Sequence, residues 1–128
     1  VLDPVAKIAD ANVEEWEQAF RTNFFAAVGL VSAALPTLKK RGGEGRVVFV
    51  SSGAAVTGYQ GWGAYGASKA ALNHLCVTLA VEEEGVITVA VRPGVIGLAA
   101  VPSRPVLWAG LTDWRGRYTD ARGYPRET

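Results

Sequence analysis

Two continuous apolar runs constrain this chain more than anything else in it: RVVFVSS at residues 46–52 and VITVAVRP at residues 86–93. Both are rich in β-branched residues, and neither alternates with polar ones. A strand with one face in water alternates, whereas a strand covered on both faces does not. The runs therefore predict two parallel strands buried on both sides. The segments around them read as helices. Residues 64–83 carry Leu72, Leu75 and Leu79 at helical spacing and stop at Gly85. Residues 13–40 carry Trp16, Phe20, Phe24, Ala27, Val31, Leu35 and Leu38 at three- and four-residue intervals, which makes one apolar stripe. Asn12 stands where an N-cap belongs, with Glu15 at the reciprocal capping position. Lys39, Lys40 and Arg41 suit the negative end of the helix dipole, Gly42 and Gly43 stop the helix, and Pro36 is expected to kink its last turns. Helix, strand, helix, strand is α/β alternation, with both strands in one parallel sheet joined by a right-handed crossover.

Length and charge narrow the field. The 128 residues make one domain at most, with a modest core. A net charge of +1 points to neither a nucleic-acid nor a membrane surface. No uninterrupted apolar run approaches the ~18 residues of a membrane span. A lone cysteine, Cys76, rules out an internal disulfide and implies a reducing, cytoplasmic setting. His74 has no ligand cluster around it, so no metal site is expected. After Gly97 the periodicity ends. Residues 98–128 are rich in Pro, Arg and Trp and read as an irregular tail on an ordered unit of residues 1–97.

The chemistry concentrates in AYGASKAAL, residues 64–72. Tyr65 and Lys69 are four apart, so a helix puts them on one face, one turn from each other. A phenol with a pKa near ~10 is a poor acid or base at neutral pH, and an adjacent ammonium favours its ionised form. Such a pair can act as an acid–base catalyst near neutrality. Ser51 and Ser52 end the first apolar run, and Ser52 lies 13 residues before Tyr65. Ligands of open α/β sheets bind beyond the carboxyl ends of the strands. The second run also ends there, in RPGV. Two strand ends and a helix start thus converge on one place.

Taken together, VVFVSSGAAVTGYQGWGAYGASKAAL, ITVAVRPGVIG and WEQAFRTNFFAAVGLVSAALPTLKK resemble the short-chain dehydrogenase/reductases, in that family's order and spacing over residues 1–97. LAVEEEGVITVAVRPGV further resembles a sepiapterin-reductase-like branch. The resemblance implies a Rossmann-like, doubly wound parallel sheet, three-layered when complete. It implies NAD or NADP as cofactor and a small carbonyl or alcohol as substrate. It implies Tyr65 as acid/base, Lys69 as its partner and ribose ligand, and Ser52 as the group that orients the substrate oxygen. Asn23 would hold a water linking Lys69 to solvent, and Pro93, Gly94 and Ile96 would line the nicotinamide. It also implies a homo-oligomer packed through helices 13–40 and 64–83.

Two departures qualify this. No Gly-x-x-x-Gly-x-Gly turn follows a strand ahead of Asn12, so the pyrophosphate-holding part of the fold is not among these residues. Leu98 stands where the family often has a threonine that holds the carboxamide. With no methionine anywhere, the chain reads as the C-terminal part of a Rossmann-like domain, expected to be inactive alone. The alternatives are a non-catalytic dimerisation fragment, or a defective product.

Overall fold

The computed structural model describes residues 1–42, 44–93, 109–112 and 118–119. The first helix, α1, runs from Val13 to Lys39. Asn12 caps it as the sequence predicts, its side-chain oxygen accepting from the backbone N–H of Glu14 at 2.9 Å and of Glu15 at 3.4 Å. The stripe that starts at Trp16 faces inward: Phe24, Ala27, Val31 and Leu35 pack against the core. The helix continues through Pro36. It differs from a plain α-helix at Arg21–Phe25, where one turn is wound as a π-helix. A π-turn holds one extra residue, which rotates everything after it relative to everything before. By length and composition α1 is long and apolar enough to cross a membrane, which a count of uninterrupted apolar residues missed.

Strand β1, Gly45–Val50, then helix α2, Gly63–Glu82, then strand β2, Val86–Pro93, form the central unit. The strands are parallel neighbours in the register Gly45–Val86, Val47–Thr88 and Phe49–Ala90. Both segments that the apolar runs predicted are present and oriented as expected. Two short strands extend the sheet in the order β1-β2-β3-β4: β3, Ala109–Thr112, antiparallel to β2, and β4, Tyr118–Thr119, antiparallel to β3. They arise from residues in which the sequence shows no period, and they make the sheet mixed rather than wholly parallel.

The core lies on one side of this sheet. Phe49, Leu72, Cys76, Leu79 and Ala90 form it, roofed by the inward stripe of α1. The expectation of strands covered on both faces is not met. In β1, Phe49 is 4% exposed while its neighbours Val48 and Val50 are 60% and 56% exposed. Ile87 of β2 is likewise exposed. Continuous apolar character records what a strand is suited to, and α1 and α2 both pack on the Phe49 side. Among the described residues the architecture is two-layered, helices on one face of the sheet.

Polar groups join the layers at three depths. Thr88 Oγ1 donates to the Cys76 carbonyl at 3.2 Å beneath α2. Lys39 and Glu83 pair at 2.8 Å where the two helices end. Being partly exposed, that pair is worth no more than ~1 kcal/mol. The third junction, at the start of α2, is the site.

Candidate active site

Close backbone approach builds the start of α2. A Cβ on Gly63 would lie 2.9 Å from the Trp16 ring, and one on Gly66 would lie 2.7 Å from the Ala54 carbonyl oxygen. The two glycines therefore let α1 press on one side of α2 and the Gly53–Ala55 turn on the other. Gly61, Gly63 and Gly66 have the spacing of a dinucleotide-binding loop, but the structure uses the last two for packing rather than for a phosphate.

Tyr65 and Lys69 sit on adjacent turns of α2, both half-buried. Lys69 Nζ lies 5.8 Å from the centre of the Tyr65 ring. Its ammonium donates to the carbonyl oxygen of Val50, the last residue of β1, at 2.8 Å. Partial burial strips water from Lys69 and lowers its pKa below the ordinary lysine value. The Trp62 ring meets Tyr65 edge-on at 5.9 Å, and Tyr59 lies 5.3 Å from Trp62. Aromatic surface thus flanks the phenol on the loop side.

Ser52 follows β1 and opens the Gly53–Ala55 turn, its Oγ accepting from the Ala54 N–H at 3.2 Å. It caps the turn with a lone pair and keeps its own proton. Ser51 is buried, and its backbone N–H donates to the Val91 carbonyl at 2.7 Å, so the serines extend the β1–β2 pairing. Pro93 ends β2 and is exposed. Gly94 and Ile96 lie outside the described residues.

Asn23 is in the π-turn of α1, buried, although its neighbours Thr22 and Phe25 are exposed. Its Nδ2 donates to the Val1 carbonyl at 2.7 Å and to Ser68 Oγ at 3.1 Å. Its Oδ1 accepts from the Val1 amino nitrogen at 2.6 Å. Ser68 in turn donates to the Tyr65 carbonyl at 2.8 Å. The structure thus brings Asn23 to the same turn of α2 as Tyr65 and Lys69.

Sequence reasoning did not single out Ser68, the Val50 carbonyl or Trp62. Ser68 had a signal: it falls on the stripe of Leu72, Leu75 and Leu79, a polar residue in an apolar row. The Val50 carbonyl had none, because main-chain groups are the same at every position. Asn73 Oδ1, one turn beyond Lys69, is buried without a hydrogen-bond partner and was also unremarked.

A family model described as short chain dehydrogenase matches residues 2–104. The chain belongs to the short-chain dehydrogenase family. Among its relatives, benzil reductase ((S)-benzoin forming) IRC24 of Saccharomyces cerevisiae is 47% identical over 102 residues, covering 75% of this chain and 39% of the relative. The crystal structure of a Saccharomyces cerevisiae short-chain dehydrogenase/reductase, YIR035C, matches with a TM-score of 0.73 at 49% identity, over 76% of this chain and 38% of that one. A Shigella flexneri short-chain dehydrogenase complexed with NADP matches with a TM-score of 0.67 at 32% identity, over 73% of this chain and 39% of that one. The chain therefore spans less than half the length of these relatives. None of the three bears the sepiapterin-reductase name that residues 79–95 suggested. As a short-chain dehydrogenase, the chain is assigned to the oxidoreductases by resemblance.

Proposed function

We propose that these residues are the proton-transfer half of an NAD(P)-dependent oxidoreductase that interconverts a carbonyl and an alcohol. The observation that carries this reading is the Tyr65–Lys69 pair on adjacent turns of α2, tied by Lys69 to the carboxyl end of β1. The donor set suits the cofactor. An ammonium has three donors, Lys69 commits one to Val50, and two remain for a ribose diol. Bound NAD or NADP supplies or accepts the hydride. Tyr65 gives its phenolic proton to the substrate oxygen in reduction and takes a proton from it in oxidation. Lys69 holds a positive charge beside the phenolate that remains. Ser52, whose hydroxyl proton is uncommitted, orients the substrate oxygen. Asn23 anchors the turn from which a water reaches Lys69. Pro93, at the end of β2, would line the nicotinamide, a role the resemblance extends to Gly94 and Ile96.

The substrate is a small carbonyl or alcohol, and the aromatic flank of Trp62 and Tyr59, together with the benzil reductase among the relatives, makes a diaryl diketone the first to try. The reading places the protein in the cytoplasm, away from membranes and nucleic acid. It also makes the protein a homo-oligomer through α1 and α2. Val13, Phe25 and Leu30 of α1 and Val77 and Val81 of α2 are exposed, and Val13, Trp16, Phe20 and Phe25 line an open groove of about 600 Å³. That exposure favours the second reading too, an interaction module built on the same helices.

Cofactor affinity rests largely on pyrophosphate contacts, and no Gly-x-x-x-Gly-x-Gly turn for them follows a strand ahead of Asn12. The chain by itself is expected to give no saturable NAD(P)H fluorescence enhancement. Joined to a family-like dinucleotide-binding half and substrate loop, it is expected to reduce a diketone. Tyr65→Phe then lowers kcat by at least ~100-fold, as loss of a general acid does, with cofactor binding kept. Full activity in that variant would overturn the proposal.

A further inference from the structure

The chain Asn23 Nδ2 to Ser68 Oγ to Tyr65 carbonyl lies inside the molecule, and only the first and last of these residues have a place in the chemistry proposed above. Ser68 is 0% exposed. Its hydroxyl has a single proton, and that proton goes to the Tyr65 carbonyl at 2.8 Å. The contact with Asn23 at 3.1 Å must then run the other way, from the amide to a Ser68 lone pair. The amide is equally committed. Both Nδ2 protons are used, one on Ser68 and one on Val1, and Oδ1 takes the Val1 amino nitrogen. The direction of every bond is therefore set, and the Asn23 amide has one orientation that satisfies it.

The placement is also specific. The π-turn Arg21–Phe25 is the part of α1 in which Asn23 is held, and Asn23 is its buried residue. Around it the contacts between α1 and α2 are apolar, such as the Trp16 ring on Gly63. An apolar contact resists separation but tolerates sliding and rotation, whereas a directed buried hydrogen bond does not. Rotation of α2 about its axis would carry Tyr65 and Lys69 with it, away from the Val50 carbonyl.

We propose that Ser68 is a positioning residue: it locks the rotation of α2 against the π-turn of α1, and so sets where the Tyr65 phenol and the Lys69 ammonium stand relative to the Val50 carbonyl at the end of β1. This deepens the reading of Tyr65 as the acid/base and rests on it. Serine suits the position because it is the smallest side chain that both accepts from one helix and donates within the other. Alanine keeps the packing and the helix but removes both bonds, leaving an Asn23 N–H to find another partner, while the Tyr65 carbonyl keeps its helical bond alone.

The test needs no turnover. The 128-residue chain is labelled with ¹³Cζ-tyrosine and the Tyr65 resonance assigned with Tyr65→Phe. Ser68→Ala is expected to displace the Tyr65 resonance and leave that of Tyr59 in place. Thr88→Val is the control, because it deletes a buried hydroxyl that also donates to an α2 carbonyl, at Cys76, about two turns from Ser68. It is expected to lower stability comparably and leave Tyr65 unmoved. A Tyr65 resonance unchanged in Ser68→Ala, or moved equally by Thr88→Val, overturns the proposal and reduces Ser68 to a packing residue. Failure of the catalytic reading would show separately, as an active joined enzyme indifferent to Tyr65→Phe.

Discussion

The two faces of the β1–β2 sheet are built from the same kinds of residue and meet opposite fates. On one face Phe49 and Ala90 are buried under α2 and the stripe of α1; on the other Val48, Val50 and Ile87 stand in the open. Residues one apart in a strand point to opposite sides, so the contrast runs through a single segment and owes nothing to local composition. Apolar character is a capacity for burial, and it becomes stability only where another element arrives. The covered face obtains that from two helices. The bare face has among the described residues no cover, and its exposed valines are free to meet another chain.

The sharpest way to break this contrast is to shorten a side chain on each face. Phe49→Ala opens a cavity in the only core the described residues share and is expected to cost about 3–5 kcal/mol. Val48→Ala, next to it in sequence, is expected to cost no more than about 0.5 kcal/mol. Urea denaturation of the two variants measures both; equal losses would mean that the open face is covered in solution.

Association sharpens the comparison further. The chain is expected to self-associate at micromolar concentrations through its exposed apolar surface. Sedimentation of two charge variants separates the surfaces. Leu30→Glu with Val81→Glu addresses the helices, and Val48→Glu with Ile87→Glu the bare sheet face. The proposed homo-oligomer requires the helix variant to dissociate the complex. If only the sheet variant does so, the oligomer forms through the sheet.

The smallest effect is a titration on the covered face. Burial raises the pKa of the Cys76 thiol above its ordinary 9.0, opposed by its contact with Thr88. The folded state thus binds this proton more tightly than the unfolded one. The contribution is complete below pH 9.0 and is lost as pH rises through the folded value. Relative to Cys76→Ala, the wild-type chain should lose stability in that window, and only there. A difference between the two that is constant with pH would show that the thiol titrates alike in both states.

How much was legible in advance follows the range of the interactions involved. The Asn12 cap, the stripe of α1, the limits of α2 and the pairing of Tyr65 with Lys69 all join residues within a few positions of each other. Helical and strand geometry fixes such relations once the element forms, so spacing in the sequence is enough to read them. The parallel pairing of β1 and β2 was also legible, since a helix between two apolar runs leaves few other connections.

What only the tertiary structure decided joins residues far apart. The Lys69 ammonium finds the Val50 carbonyl 19 positions away, and the Asn23 amide finds Ser68 45 positions away. The π-turn that holds Asn23 has no periodic signature, because it is a single added residue inside an otherwise regular helix. Which face of the sheet became the core was equally open, since both faces are apolar and the choice fell to where α1 and α2 packed. The sequence by itself determined the elements and the row of chemical groups along α2, because those depend on backbone geometry common to all chains. Their partners were decided by packing, because a directed bond between distant residues exists only after the chain has closed around it.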